Sequence, residues 1–364
     1  MILDMHCHYT FTLRAATATP RFSFEPAVND FGSALDSLIA PRAMKRIAWR
    51  ILRKMLRIDG RLPPGEALDS ELDRAYERHL VSGPIDRYVL LAFDAYHDDA
   101  GRRPPIPQRR DELGSDIYTS NSLVRAACAA NPSRFLFGAS VHPYRRHAVD
   151  AVAEVFAGGA CLLKWLPLHQ NIDIADPRTI AVLECCAKLG LPVLVHYSEE
   201  FTLATQHPEY RSATALLDVL ARLRRRGRMP ITIVAHVATP VTPFGEMRSH
   251  QALVDALLNE FADAPLYADI SALSAFGKVE LMASIAGHQA LHRKLLFGSD
   301  FPIPPALIRL RGRLGREYAR IAALPSWPAQ ALEISTHVGF NDIVFRRAAE
   351  LLPNVSRETP RPGV

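Results

Sequence analysis

The sequence predicts an α/β protein, a (β/α)8 TIM barrel with a helical insertion between strands 1 and 2. Eight short apolar runs rich in strand-forming residues recur along the 364-residue chain, and amphipathic helical patterns separate them. Strands that alternate with helices form a parallel sheet through right-handed crossovers, and eight such units close a barrel. No G-x-G-x-x-G motif follows the first strand, which disfavours an open dinucleotide-binding sheet.

Each predicted strand is a short apolar run that polar or turn-forming residues bound. We expect strands at residues 2–5, 88–93, 135–141, 160–165, 193–196, 231–235, 266–270 and 295–298. The segments between them show the apolar spacing of helices that pack on a sheet. We expect helices at residues 121–130, 148–156, 177–189, 212–226 and 251–262.

Residues 11–84 interrupt the alternation, and we interpret them as an insertion on the active-site side of the barrel. Such a segment either caps the pocket or forms the interface of a homo-oligomer. Within it, residues 42–57 form an amphipathic helical pattern with seven basic residues and no acidic one. We expect this helix to pack on the barrel or on a partner subunit. A membrane-surface or anionic-partner contact is the alternative.

Composition narrows the class of protein. Hydrophobic residues make up 48% and charged residues 22%, and no apolar run is long enough to span a membrane. The net charge of +5 is small for this length, so we expect no nucleic-acid partner. The start of the chain does not resemble a signal peptide, and the five cysteines show no CxxC spacing. We expect a reduced, cytoplasmic protein with one domain over residues 1–352 and a poorly ordered tail at 353–364.

A histidine pair lies directly after the first predicted strand, in the run Asp4-Met5-His6-Cys7-His8. Alternate side chains of an extended strand point to the same side, so His6 and His8 aim at one point, as two ligands of one metal must. The same alternation turns Cys7 away from that point. Two histidines can be mere surface residues, but their position at the end of a barrel strand favours a metal site.

Four more polar residues lie at or just past the ends of later strands: Lys164, His196, His236 and Asp300. The carboxyl ends of the strands meet at one face of such a barrel, where the chemistry takes place. Asp300 follows a buried strand, and a carboxylate there is costly unless it is paired or binds a metal. Imidazole and carboxylate ligands suit Zn²⁺ best, with Mn²⁺ or Fe²⁺ as alternatives.

This set of motifs resembles the amidohydrolase superfamily, and within it the amidohydrolase-related branch of TIM-barrel metal-dependent hydrolases, which also includes nonoxidative decarboxylases. The resemblance rests on the H-x-H start, the later strand-end residues and the Gly298-Ser-Asp-Phe-Pro element. It implies that His6, His8, His196 and Asp300 hold one divalent metal. It also implies that Asp300 activates water and that His236 polarises the substrate carbonyl or stabilises the oxyanion.

The role of Lys164 stays open at this point. In binuclear relatives a lysine here is carboxylated and bridges two metals, whereas in the mononuclear branch it supports the site or the substrate. The flanking Trp165-Leu-Pro-Leu-His-Gln resembles the mononuclear branch more, so we favour one metal. His142 follows the third predicted strand and His169 lies beyond the fourth, and both are candidates for substrate contact.

The predicted function is a metal-dependent hydrolase that breaks a C–N or C–O bond of a small molecule such as an amide, ester or lactone. A nonoxidative decarboxylase with the same ligands is the first alternative. A peripheral binding protein that uses the basic helix at 42–57 is the second. None of the motifs specifies a substrate, because specificity in barrels comes from the loops.

Overall fold

The computed structural model describes residues 1–28, 34–81, 83–109, 111–197, 206–242 and 245–355. Residues 356–364, most of the predicted tail, lie outside the described residues. Eight parallel strands form the central sheet, and each coincides with a predicted strand. They are β1 (Leu3–His8), β4 (Arg87–Leu91), β6 (Phe135–Ala139), β7 (Leu162–Trp165), β8 (Val193–Val195), β9 (Thr232–Val234), β10 (Leu266–Asp269) and β11 (Leu295–Leu296).

The sheet closes between its first and last strands. The backbone N–H of Met5 donates to the carbonyl of Phe297 at 3.2 Å, and that of Asp300 donates to the carbonyl of His6 at 2.9 Å. A parallel bridge between Cys7 and Phe301 continues this pairing beyond the end of β11. The sequence therefore forms the closed (β/α)8 barrel that the strand and helix pattern predicts.

Helices surround the barrel between its strands. α4 (Asn121–Ala130) and α7 (Pro177–Leu189) have the predicted bounds, and α5, α8 and α9 differ from the prediction by one to four residues at their ends. These three helices are α5 (Ala148–Ala157), α8 (Ala213–Arg225) and α9 (Arg248–Leu258). The later helices are α10 (Val279–Gly287), α11 (Leu307–Leu314), α12 (Tyr318–Ala322), α13 (Trp327–Val338) and α14 (Asp342–Leu351), and a short α6 (Pro167–Gln170) follows β7. Each helix among the described residues is too short or too polar to cross a membrane.

The insertion is only partly helical. It contains the helices α1 (Pro41–Met44), α2 (Ile47–Met55) and α3 (Glu66–Leu80), and also the strands β2 (Leu13–Ala15) and β3 (Leu35–Ile39). β3 pairs on its other side with β5 (Ile117–Thr119), which comes from the connection after β4. The insertion and that connection thus share one small antiparallel sheet.

The basic helix predicted at residues 42–57 is broken into α1 and α2. Its apolar side is only partly packed: Ile58 is buried, whereas Ile47, Ile51 and Met55 are exposed. Arg53, which the pattern places on the solvated face, is buried and donates to the carbonyl of Leu62 at 3.1 Å. A contact of this segment with a membrane surface or an anionic partner stays a prediction.

The interior of the barrel is apolar toward the amino ends of its strands. It is polar toward their carboxyl ends, which form the upper end of the barrel. Leu3 and Met5 belong to a buried apolar cluster that collects buried side chains from seven of the eight strands. Ala348 of α14 and Leu352, which follows this helix, close the cluster at the amino ends of the strands. β1 contains one extra residue between Asp4 and Cys7 relative to β4, which is a β-bulge. A bulge redirects the following side chains, and the buried His6 accordingly contacts Lys164 across the barrel.

Candidate active site

Three ligand atoms converge at the upper end of the barrel. The Oδ1 of Asp300 lies 3.2 Å from the Nε2 of His6 and 3.1 Å from the Nε2 of His8. Metal bonds of about 2.1 Å in tetrahedral geometry place neighbouring ligand atoms about 3.4 Å apart. Burial would raise the pKa of Asp300, but the surrounding imidazoles hold that pKa well below its ordinary value. The three residues can therefore hold one divalent cation.

A second buried carboxylate, Asp269, was not predicted from the sequence. It orients the ring of His6 through the Nδ1 atom. The Oδ2 of Asp269 accepts from the Nδ1 of His6 at 2.9 Å, which leaves the Nε2 lone pair for a cation. Carboxylates in this position fix the tautomer and the orientation of metal-binding histidines. The other oxygen of Asp269 accepts from the backbone N–H of His236 at 2.8 Å and from Ser271. The signal in the sequence is a lone carboxylate at the end of the seventh barrel strand.

His236 lies between Asp269 and Asp300. Its Nδ1 is 2.9 Å from the carbonyl oxygen of Ser271, so it donates there, and its Nε2 is 3.8 Å from the Oδ2 of Asp300. Burial lowers the pKa of His236 to about 3, so the ring is neutral and its Nε2 carries a lone pair. This nitrogen accepts a proton or binds a cation. In the neutral ring it does not donate the hydrogen bond that polarisation of a carbonyl requires.

His196 and Lys164 complete the upper end of the barrel. The ring of His196 packs edge-on against His236 with centroids 4.9 Å apart, and burial lowers its pKa well below the ordinary value. His196 is not a member of the close group of His6, His8 and Asp300. The Nζ of Lys164 donates to the Nε2 of His6 at 3.1 Å, and burial lowers the lysine pKa to about 8.

The backbone around these residues is strained. His236, Val237 and Asp300 have φ values of 57°, 51° and 64°, in the left-handed region that disfavours residues with a Cβ. Such conformations cost about 1 to 3 kcal/mol each and concentrate at functional sites. Gly298 has a different constraint, because a Cβ added there would lie 2.7 Å from the Cβ of His6. The glycine of the Gly-Ser-Asp-Phe-Pro element therefore makes room for a candidate ligand.

A cavity of about 410 Å³ lies directly above this group. Its floor includes His8, His196, His236 and Asp300. Its walls come largely from the insertion, through side chains of α1, α2 and α3, and from the segment that follows Asp300. The volume is in the range of small-molecule sites.

The structure places His142 and His169 elsewhere. The Nε2 of His142 donates to the carbonyl of Gln170 at 2.6 Å, and its Nδ1 accepts from the backbone of Tyr144 at 3.0 Å. His169 is buried near Phe93 and Tyr96, in a separate small pocket. Neither histidine lines the 410 Å³ cavity.

Comparisons with known proteins agree with this architecture. A family model described as amidohydrolase matches residues 4–318. An uncharacterized TIM-barrel protein from Bordetella bronchiseptica is 18% identical over 98% of this chain and 99% of its own, with a TM-score of 0.55. This likeness supports the fold.

Two other solved structures have TM-scores below 0.5. A probable 2-pyrone-4,6-dicarboxylic acid hydrolase from Acinetobacter baumannii is 13% identical over 98% of each chain, with a TM-score of 0.47. The 5-carboxyvanillate decarboxylase from Sphingomonas paucimobilis is 14% identical over 95% of this chain and 98% of its own, with a TM-score of 0.45. No curated protein matches the sequence.

Proposed function

Because this chain belongs to the amidohydrolase family, we propose that it is a metal-dependent hydrolase, which uses water to break a C–N or C–O bond of a small molecule. The bond belongs to an amide, an ester or a lactone. The observation that carries the proposal is the convergence of His6, His8 and Asp300 on one point beneath a cavity of small-molecule size. An array of histidine nitrogens around a carboxylate is the donor set of catalytic metal sites.

The residues fit a single Zn²⁺ in this proposal. His6, His8 and Asp300 supply three donor atoms, and His196 at the cavity floor is the fourth candidate. When bound, a cation of this kind acts as a Lewis acid toward the carbonyl oxygen and lowers the pKa of water. Asp269 keeps the Nε2 of His6 free of hydrogen, which zinc binding requires.

Asp300 and His236 handle the proton of the attacking water. The Oδ2 of Asp300 faces His236 and takes up that proton as water adds to the carbonyl carbon. The neutral Nε2 of His236, 3.8 Å away, is the next acceptor, and the protonated ring then donates to the oxyanion or to the leaving group. His236 thus fills the role of an oxyanion partner only after it has gained a proton.

The test is elemental analysis together with turnover of simple esters, amides and lactones. We expect about one zinc per chain in the wild type and none in His6→Ala/His8→Ala. Asp300→Asn lowers kcat by about a hundred- to ten-thousand-fold, as loss of a general base does. The matched control is His288→Ala, because His288 is an exposed histidine remote from the cavity. A wild type that stays metal-free after reconstitution, or a double variant that keeps its metal, overturns the proposal.

The number of metals is tested separately through Lys164. Its Nζ donates to the Nε2 of His6, the atom that would bind the cation. In the proposed mononuclear site Lys164 gives up this bond and holds the substrate or the ligand sphere rather than bridging two ions. We expect one metal per chain in preparations supplemented with bicarbonate, and the same number in Lys164→Ala. Two metals per chain, of which one is lost in Lys164→Ala, would replace this arrangement by a carboxylated bridging lysine.

Nonoxidative decarboxylation is the second candidate function, and Arg46 is the observation that favours it. A decarboxylase needs a cationic partner for the carboxylate of its substrate, and Arg46, which immediately precedes α2, lines the cavity. Release of carbon dioxide from simple aromatic acids, lost in Arg46→Gln while ester hydrolysis is undetectable, would favour this candidate over the hydrolase.

A further inference from the structure

The cavity above the candidate metal site has walls of a different character from its floor. Its polar and charged floor is small, and its walls are mainly hydrocarbon, with Arg46 as their one charged side chain among the described residues. We propose that the substrate carries an extended apolar group of several carbons, which lies in this cavity while the bond to be broken meets the floor. This inference rests on the proposed function, which identifies the end of the substrate that reacts. The inference adds the chemistry of the other end of the substrate.

The walls are built from buried apolar side chains on three sides. Leu72 of α3 is 4% exposed, Phe93 beyond β4 is 5% exposed and Leu166 after β7 is 6% exposed, and all three line the cavity. They come from the insertion and from two barrel loops, so the apolar surface surrounds the space rather than forming one patch. A polar substrate would leave its hydrogen bonds to water unreplaced along these walls.

Two hydroxyl groups of the walls are already occupied. The hydroxyl of Tyr76 donates to the carbonyl of Thr10 at 3.0 Å and accepts from the backbone N–H of Thr10 at 2.8 Å. The hydroxyl of Thr10 accepts from Thr119 at 3.1 Å. These two hydroxyl groups thus bond within the protein. Arg46 and Trp49, whose indole Nε1 has no hydrogen-bond partner in the described part of the chain, are the other polar side chains of the walls. The remaining wall residues offer a ligand apolar contact.

The cavity continues to an exposed apolar edge on α2. Ile51 is 53% exposed and Met55 is 43% exposed, yet both line the cavity. A ligand chain that extends past the buried walls covers these side chains and removes their apolar surface from water. Burial of one methylene group is worth about a four-fold gain in affinity. Affinity for an apolar ligand is therefore expected to rise with its length.

The test uses unreactive ketones, so that binding is measured apart from catalysis. We expect the Kd of unbranched 2-alkanones from four to ten carbons, measured by calorimetry, to fall about three- to four-fold per methylene. Ile51→Glu places a charge at the edge and weakens binding of the longest ketone by at least about ten-fold, since burial of a charge beside hydrocarbon is costly. The substitution is at an exposed helix position, so folding is preserved.

Ile47→Glu is the matched control. Ile47 is the same residue type on the same helix, 65% exposed, but it does not line the cavity. We expect this variant to bind every ketone within two-fold of the wild type. Affinity that is flat with chain length, or equal losses in the two variants, overturns the inference.

Failure of the inference and failure of the proposed function give different results. Hydrolysis of γ-lactones measured beside the ketone titrations separates them. Rising ketone affinity without turnover of any lactone, ester or amide leaves the apolar site in place and contradicts the proposed hydrolase. Lactone turnover that does not increase with the length of the alkyl substituent, together with flat ketone affinity, keeps the hydrolase and removes the apolar substrate.

Discussion

Two groups of buried charged residues lie near the carboxyl ends of the barrel strands, and they differ in how their polar atoms are used. The first, the floor group, consists of His6, His8, Lys164, Asp269 and Asp300. The second, the Asp94 group, consists of Asp94, His97, His142 and Arg145 with the amide of Gln170. Every member is buried except His8, whose side chain is 25% exposed, and in both groups burial lowers the pKa of a histidine.

The Asp94 group satisfies its own charges. Arg145 donates to both oxygens of Asp94, at 2.5 and 2.6 Å, and the backbone N–H of His142 adds a third bond at 2.6 Å. Burial would raise the pKa of Asp94, but the guanidinium holds that pKa well below its ordinary value. Such a closed network fixes the conformation of two loops.

The floor group instead directs lone pairs at a shared point. The Oδ1 of Asp300 and the Nε2 atoms of His6 and His8 meet at 3.1 to 3.2 Å, and His8 and Asp300 also line the cavity. Buried charge alone is therefore a poor indicator of a site in this protein. Convergent acceptor atoms next to a cavity are the better one.

The largest expected effect is a loss of stability when the Asp94 group is altered, with the floor group left intact. Arg145→Met removes the partner of a buried carboxylate and should lower the free energy of unfolding by about 3 to 5 kcal/mol. Urea denaturation measures this loss, and we expect the folded fraction to keep its metal content. Asp94→Asn/Arg145→Met is the matched control, which should recover part of the stability because no unpaired charge remains. Loss of metal at unchanged stability would contradict the comparison.

The next effect concerns the support behind the floor group. Asp269→Asn weakens the hydrogen bond that fixes the Nδ1 proton of His6, and should lower zinc affinity about ten- to a hundred-fold. Competition with a chromogenic chelator measures the change. Asp98→Asn serves as control, because Asp98 is an aspartate whose salt bridge with Arg102 is at the surface. Unchanged zinc affinity in Asp269→Asn would show that Asp269 is structural only.

The smallest expected effect is a decrease in the free energy of unfolding as the pH falls. Burial lowers the pKa of His142 to about 3, while an unfolded histidine titrates near 6.5. The stability that neutral His142 contributes is complete above pH 6.5 and is lost as the pH falls toward 3. Between pH 7 and 5.5 it should account for about 1 kcal/mol. The urea midpoint of His142→Gln should change correspondingly less over that interval, and an equal change would contradict the assignment.

The sequence predicted which polar residues lie together at the upper end of the barrel better than it predicted the bonds between them. Parallel strands bring their carboxyl ends together, so polar residues at those ends meet whatever the loops do. Lys164 and His236 accordingly contact His6, and His196 packs against His236. The bond between Asp269 and His6 joins the seventh strand to the first past the eighth strand between them, and no local pattern encodes such a contact.

Other features of the structure depend on local backbone geometry, which the periodic spacing of apolar residues does not encode. Strict alternation puts Met5 and His6 on opposite faces of β1, but one extra residue in the strand changes the phase between them. The pairing of β5 with β3 depends on where a loop after β4 runs. His142 follows a barrel strand, as the site residues do, yet its loop turns it toward Gln170 rather than the cavity.

The contact between His8 and Asp300 also has a consequence for the order of events during synthesis. These residues are 292 positions apart in the sequence, and they come from the two edges of the sheet that close the ring. Contacts between distant residues form late, because the intervening chain must first be ordered. A nascent chain holds His6 and His8 from the outset but has no matching carboxylate. In the proposed function, stable metal capture is thereby coupled to completion of the barrel.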